Sequence, residues 1–201
     1  MVAPLLAIHS LPRARPDLRE VAALAFTSPN GVAAFATLTE DRSLPVFTVG
    51  DATAEAARAA GFARVGSAAG AIGDLVRLLA AQAPTGGVVL APGALAPAGD
   101  LPALLRGRVE VCALPVYEAV ETGAVAPADF DAVLVHSPRG GRALDAQLAS
   151  AGRPCAGQVA VVISEAAAAP LTALAGLDIR IAAHPDEASL FEALGKPAPR
   201  V

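Results

Sequence analysis

The sequence predicts an α/β protein of two similar domains with parallel sheets flanked by helices, joined by a two-stranded hinge. Three observations predict it. Short apolar runs alternate in strict turn with longer, Ala-rich stretches of helical spacing. The runs are apolar throughout, as strands covered by helices on both faces are, instead of alternating with polar residues. The chain also repeats itself over a long period: Ser28-Pro29 and Ser137-Pro138 lie 109 residues apart, and Asp51 and Glu165 lie 114 apart. Repeats in solenoids recur every 20–50 residues or so, so a period this long marks duplicated domains.

The elements follow in order. Pro4–His9 is extended and proline-flanked, and so is Val109–Glu118; the two bracket the first repeat. Two chain crossings at one place make a hinge, so residues 1–10 and 109–116 are its strands, 11–108 the first domain and 117–201 the second. Within the first domain, strands are expected at Ala22–Phe26, Pro45–Val49, Arg64–Val65 and Gly87–Leu90, each a short run bounded by turn residues. Helices are expected over Gly31–Leu38, Ala52–Ala60 and Ala71–Ala81. Val109–Leu114 is the return strand. The second domain repeats the pattern with strands at Val133–His136, Val159–Ile163 and Ile179–Ala182. Its helices are expected over Arg139–Ala149, Glu165–Ala175 and Asp186–Leu194.

Composition narrows the function. Of 201 residues, 54% are hydrophobic and 17% charged, which excludes a disordered chain. With no Trp, one Tyr and six Phe, the core is built from Val, Leu, Ile and Ala. The net charge is −4, and the single lysine is Lys196, so no basic patch for nucleic acid is expected. No apolar run reaches the roughly 18 residues of a membrane span. The opening MVAPLLAIHS lacks a basic stretch ahead of its apolar residues, so no secretory signal is read there. A cytoplasmic monomer is expected, with Cys112 and Cys155 as buried free thiols.

In an open parallel sheet, ligands bind beyond the carboxyl ends of the strands, where the helices begin. Four turns stand out there: Thr27-Ser28-Pro29-Asn30-Gly31, Gly50-Asp51-Ala52-Thr53, His136-Ser137-Pro138-Arg139-Gly140 and Ser164-Glu165-Ala166. Each offers a side chain for an N-cap, and two place Pro where helix starts favour it. Any one of them is simply a helix cap or an anion site made by free N–H groups and the helix dipole. Four at equivalent places in two domains favour the anion site, and an acidic protein that holds a polyanion needs such a device. No GxGxxG or GxxxxGK[ST] occurs, and Gly66–Gly73 reads as a helix start. His9, His136 and His184 have no metal-ligand spacing, and no metal or cofactor is expected. His136 beside Ser137 lacks the GxSxG setting of a hydrolase nucleophile. Tyr117 follows the return strand; its phenol serves either interfacial packing or hydrogen-bond and proton donation.

FTSPNGV, PVFTVGDATAEAARAAGF, LPVYEAVETG, AVLVHSPRG, VISEAAAA and AAHPDEASLFEAL, in that order and spacing, resemble the uroporphyrinogen-III synthase family. The resemblance runs from about residue 3 to 195. It implies an enzyme that takes hydroxymethylbilane to uroporphyrinogen III without cofactor or metal. Ring A loses its hydroxyl, the macrocycle closes and ring D is inverted through a spiro intermediate. The polycarboxylate substrate is held largely by main-chain N–H groups in a cleft between domains. By motif, Tyr117 assists departure of the hydroxyl, and Thr27, Ser28, Thr53, Ser137 and Ser164 line the cleft, with Asn30 and Arg139 in the same turns. Two departures from the pattern carry expectations of their own. Members normally begin with a strand and helix carrying a Thr-Arg-Pro-type turn, which has no counterpart here, so the expectation is a second domain short of a strand, one with a reshaped edge, or a misplaced start. In VISEAAAA, Ser164 and alanines stand where members often have Gly and Thr, which removes an anchoring hydroxyl.

Overall fold

The computed structural model describes residues 4–125, 130–152 and 154–195. Contacts divide the chain into two compact units, Ile8–Val120 and the combination of Met1–Ala7 with Glu121–Val201.

The first unit is built from β2 (Val21–Phe26), α1 (Pro29–Ala36), β3 (Val46–Thr48), α2 (Asp51–Ala59), β4 (Val65–Ser67), α3 (Ile72–Gln82), β5 (Val88–Ala94) and α4 (Leu101–Leu105), together with most of β1 (Leu6–Ser10) and β6 (Val111–Glu121), the two strands that cross the division. The sheet order is β1-β6-β5-β2-β3-β4, and the pairs β6/β5, β5/β2, β2/β3 and β3/β4 are parallel. The apolar strands are covered on both faces, as their composition requires. Successive residues of β2 point to opposite sides. Ala23 and Ala25 therefore pack with Leu75, Leu79, Leu101 and Leu105 of α3 and α4. Leu24 and Phe26 pack with Val32, Phe35, Ala57 and Phe62 on the α1 and α2 side. Phe26 meets Phe35 edge-on, ring centroids 5.8 Å apart.

Arg42 ties the far ends of α1 and α2. It donates to the carbonyls of Ala36, Thr39 and Ala60, at 3.1, 2.6 and 2.7 Å, and lies 4.9 Å over the Phe62 ring. A cation at two helix C-termini meets carbonyls left without intrahelical partners and the negative end of each dipole.

The second unit contains β7 (Ala132–Val135), α5 (Pro138–Ala151), β8 (Val159–Val162), α6 (Glu165–Ala168), a 3₁₀ turn (Ala169–Leu171), β9 (Asp178–Ile181) and α7 (Glu187–Leu194). Its strands are parallel in the order β7-β8-β9. Val135, Ala160 and Val162 pack under Leu144, Leu148, Ala168 and Leu171, and Val161 packs under Leu190 of α7. The order β2-β3-β4 with α1 and α2 is thus repeated by β7-β8-β9 with α5 and α6. In the first sheet β5 lies along the free side of β2; among the described residues no strand pairs with that side of β7.

Four expectations change. The Glu165–Ala175 helix is broken, because Pro170 has no N–H to donate and its ring clashes with a helical carbonyl before it. α4 is an addition, formed in the Gly- and Pro-rich stretch after β5; Asp100 Oδ1 caps it by accepting from Ala103 N at 3.0 Å. Cys155 is buried, whereas Cys112 is exposed on β6; both are free. The return strand also runs on past Leu114 to Glu121, with Tyr117 within it opposite Ala94 of β5.

Two glycines set the approach of helices to neighbouring backbone. A Cβ on Gly31 of α1 would sit 2.8 Å from the Pro92 carbonyl oxygen, and one on Gly141 of α5 2.5 Å from that of Ala167. At Gly73 of α3 the nearest atom would be 4.0 Å away. Gly141→Ala is therefore expected to destabilise the protein by about 1–3 kcal/mol through overpacking. Gly73→Ala is expected to be neutral or stabilising by up to about 1 kcal/mol. Urea unfolding of the two variants checks both, and equal effects would contradict the close-approach account.

Candidate site at the carboxyl edges of the sheets

Each helix that follows a strand begins at the carboxyl edge of its sheet, and the same local device recurs in both units. Ser28, Ser137 and Ser164 are extended N-cap residues of α1, α5 and α6. Their hydroxyl oxygens accept from Asn30 N at 3.1 Å, Gly140 N at 3.0 Å and Ala167 N at 3.4 Å. Pro29 and Pro138 occupy the first helical position, where a missing N–H costs nothing. Thr27 and Asn30 are exposed beside Ser28, and Arg139 is half-buried beside Ser137.

The Gly50 turn differs from what its sequence suggests. Gly50 itself is the N-cap and has no capping side chain, so the first-turn N–H groups of α2 have no side-chain acceptor. Asp51 is the first helical residue. Thr53 is 3% exposed and shares the packed face of α2 with Ala54 and Ala57. Sequence reasoning missed Thr48, the buried residue that holds this turn: its hydroxyl lies 3.2 Å from the Gly50 carbonyl oxygen and 3.3 Å from that of Gly66. Farther along, α3 starts after Gly70, as the Gly66–Gly73 stretch suggests. There the Asp74 carboxylate accepts from Ala71 N at 2.8 Å and pairs with Arg77.

Tyr117 is 8% exposed within the first unit. It belongs to an apolar cluster with Ala34 of α1 and Val116, against which Leu38, Ala94 and Leu114 pack. Its main-chain carbonyl accepts from Leu95 N at 2.8 Å. Among the described residues its hydroxyl makes no hydrogen bond.

The carboxyl edge of the second sheet carries charged side chains that sequence reasoning does not assign to the site. Asp186 caps α7, Oδ1 accepting from Ser189 N at 2.7 Å. That backbone N–H, and then the Ser189 hydroxyl, hold the Asp186 carboxyl below the usual aspartate value. His136 Nε2 lies 3.0 Å from Glu187 Oε2, so His136 engages α7 and not Ser137, whose oxygen is occupied with the cap of α5. The signal for these residues is the AAHPDEASLFEAL motif, whose chemistry depends on a contact with the end of β7. Among the described residues, no group of three His, Cys, Asp or Glu side chains is placed to hold a metal ion. Nor is any helix among them long and apolar enough to cross a membrane.

Two expected outcomes follow from the caps. Ser137→Ala should cost about 0.5–2 kcal/mol in thermal unfolding, because Gly140 N loses its acceptor at a helix start. Asp186 has a lowered folded pKa, so its stabilisation is full above the unfolded value and is lost as pH falls through the folded one. An Asp186→Asn variant should accordingly lose part of the acid sensitivity of wild-type unfolding; identical acid limbs for the two proteins would contradict the cap.

The fold matches known proteins. A uroporphyrinogen-III synthetase from Helicobacter pylori 26695 is 19% identical, with a TM-score of 0.70 over 94% of this chain and 89% of that one. A mutant uroporphyrinogen III synthase from the extremely thermophilic bacterium Thermus thermophilus is 20% identical, with a TM-score of 0.55 over 98% and 81%. The wild-type Thermus thermophilus enzyme gives 17% identity and a TM-score of 0.51 over 98% and 80%. No curated protein sequence matches the chain. The family described as uroporphyrinogen-III synthase HemD matches residues 1–192. With its parallel α/β fold and nearly its whole length matched, the chain belongs to the uroporphyrinogen-III synthase family, which acts in tetrapyrrole biosynthesis.

Proposed function

We propose that this chain is a cofactor-independent lyase that converts hydroxymethylbilane to uroporphyrinogen III with loss of water. The observation that carries the reading is the recurrence of Ser-capped helix starts at the carboxyl edges of both sheets, in a chain matched by this family over residues 1–192. The substrate is a polycarboxylate and the protein is acidic, with a net charge of −4. Attraction through overall charge is therefore absent, and carboxylates have to be held by oriented dipoles and N–H groups. The uncapped first turn of α2 suits this role, as do the turns carrying Thr27, Ser28, Asn30, Ser137, Arg139 and Ser164. Thr53 contributes through its main-chain N–H, since its side chain is packed away.

In the proposed reaction the Tyr117 phenol gives its proton to the ring A hydroxyl, whose C–O bond breaks with release of water. Ring D then attacks through its substituted carbon to give a spiro intermediate, which reopens and closes with ring D inverted. The proton lost from the ring on aromatisation restores the phenol. No metal or redox step is needed for this balance. We place the enzyme in the cytoplasm as a monomer, with no nucleic-acid or membrane partner.

The decisive experiment supplies hydroxymethylbilane made enzymatically and separates the products by isomer. Uroporphyrinogen III is expected; the I isomer alone, which forms by spontaneous closure, would overturn the assignment and leave a two-unit tetrapyrrole-binding protein. For Tyr117→Phe, kcat should fall by about 10²-fold or more if the phenol assists the leaving group. Unchanged turnover in that variant would remove the phenol from the mechanism and leave Tyr117 a packing residue.

A further inference from the structure

Among the described residues, His136 is the ionisable side chain of the Ser-Pro turns that is held by a partner from another element. It follows β7 directly, in the position that Thr27 occupies after β2, and is half-exposed. Glu187, the first residue of α7, reaches it from the end of β9, on the far side of β8. With Nε2 facing that carboxylate, the ring is fixed with Nδ1 as its remaining polar atom. A carboxylate at the start of α7 is favoured by the helix dipole, but at an edge that takes a polycarboxylate it repels the ligand. An imidazolium beside it removes that repulsion and adds a donor on Nδ1.

We propose that His136, oriented by Glu187, is a carboxylate-binding residue of the substrate site and sets the affinity for the tetrapyrrole. The proposal rests on the synthase reading above and adds to it a residue outside the Ser and Thr set. The charged groups on the turns around it are Arg139 at the start of α5, Glu165 at the start of α6, and His184, Asp186 and Glu187 around the start of α7. Two of these are cationic or can become so, and three are acidic. His136 offsets that acidic majority at the point where Glu187 faces it. Glu187 is a positioning residue here, acting through the ring.

Steady-state kinetics of wild type, His136→Gln, His136→Lys and Glu187→Gln test the proposal, with circular dichroism confirming that each folds. In His136→Gln, KM should rise about fivefold with kcat near wild type, the size expected of one half-exposed charge contact. His136→Lys, which keeps a cation at this position, should hold KM near the wild-type value. Glu187→Gln should raise KM less than His136→Gln does. Thermal stabilisation by uroporphyrinogen III, measured in parallel, reads affinity without turnover. Wild type that makes only the I isomer overturns the synthase reading, whereas equal KM and thermal stabilisation in wild type and His136→Gln overturn this one.

Discussion

Parallel pairing is the constraint on which the rest of the structure depends. A strand that ends at one edge of a sheet and must be followed by a parallel neighbour can return only through a crossover, and here the crossovers are helices. Every strand of β2, β3, β4, β7, β8 and β9 therefore ends at the same edge as the others of its sheet, and a helix starts within a few residues of it. Helix starts carry unpaired N–H groups and a partial positive charge. The connectivity that satisfies the strands thus collects the anion-seeking ends of the helices on one edge of each sheet. Chemistry on that edge comes with the fold.

How those ends are finished differs from turn to turn. α1, α5 and α6 have a serine oxygen on one N–H, whereas α2 has none because glycine is its cap. α7 is capped by a carboxylate, Asp186, and begins with another, Glu187. The first sheet presents serine hydroxyls, open amides and the acidic Asp51 and Asp74, and the second adds a histidine paired with a carboxylate, His136 with Glu187. An acidic protein handling an acidic ligand is served by this arrangement, because dipoles and paired charges act at short range where net charge does not.

Packing places these ends with small residues. With so few aromatics, the interior of each unit brings backbone to backbone by alanine and glycine, and Gly31 and Gly141 stand where one methyl group would meet a carbonyl. The two sites lie in the first turn or just beyond it of the helices after the Ser-Pro caps. They therefore bear directly on how the edge turns are seated. At the opposite ends of α1 and α2, Arg42 meets the carbonyls of Ala36, Thr39, Asp41 and Ala60 at once.

Most of the architecture is legible in the chain because period and punctuation are local. Apolar runs mark β2, β3, β5, β7, β8 and β9, and Ser-Pro marks two caps to the residue. The end of α6 is obscured although Pro170 stands in plain view, since an Ala-rich helical spacing outweighs a single breaker. α4 is hidden by the Gly and Pro residues around it, its cap Asp100 being three residues from the amide it accepts from. What no local pattern carries is contact between distant segments. Thr48 holds the Gly50 turn through the neighbouring strand, Thr53 faces inward because α2 packs on that side, and His136 meets Glu187 across 51 residues of chain. By itself the sequence determined the order of strands and helices, the duplicated pattern and the caps, all set by residues within a turn of one another. Only the tertiary structure decided which capping groups stay open and which charges pair. Those depend on the packing of elements far apart in the chain, whose side chains sequence order alone does not bring together.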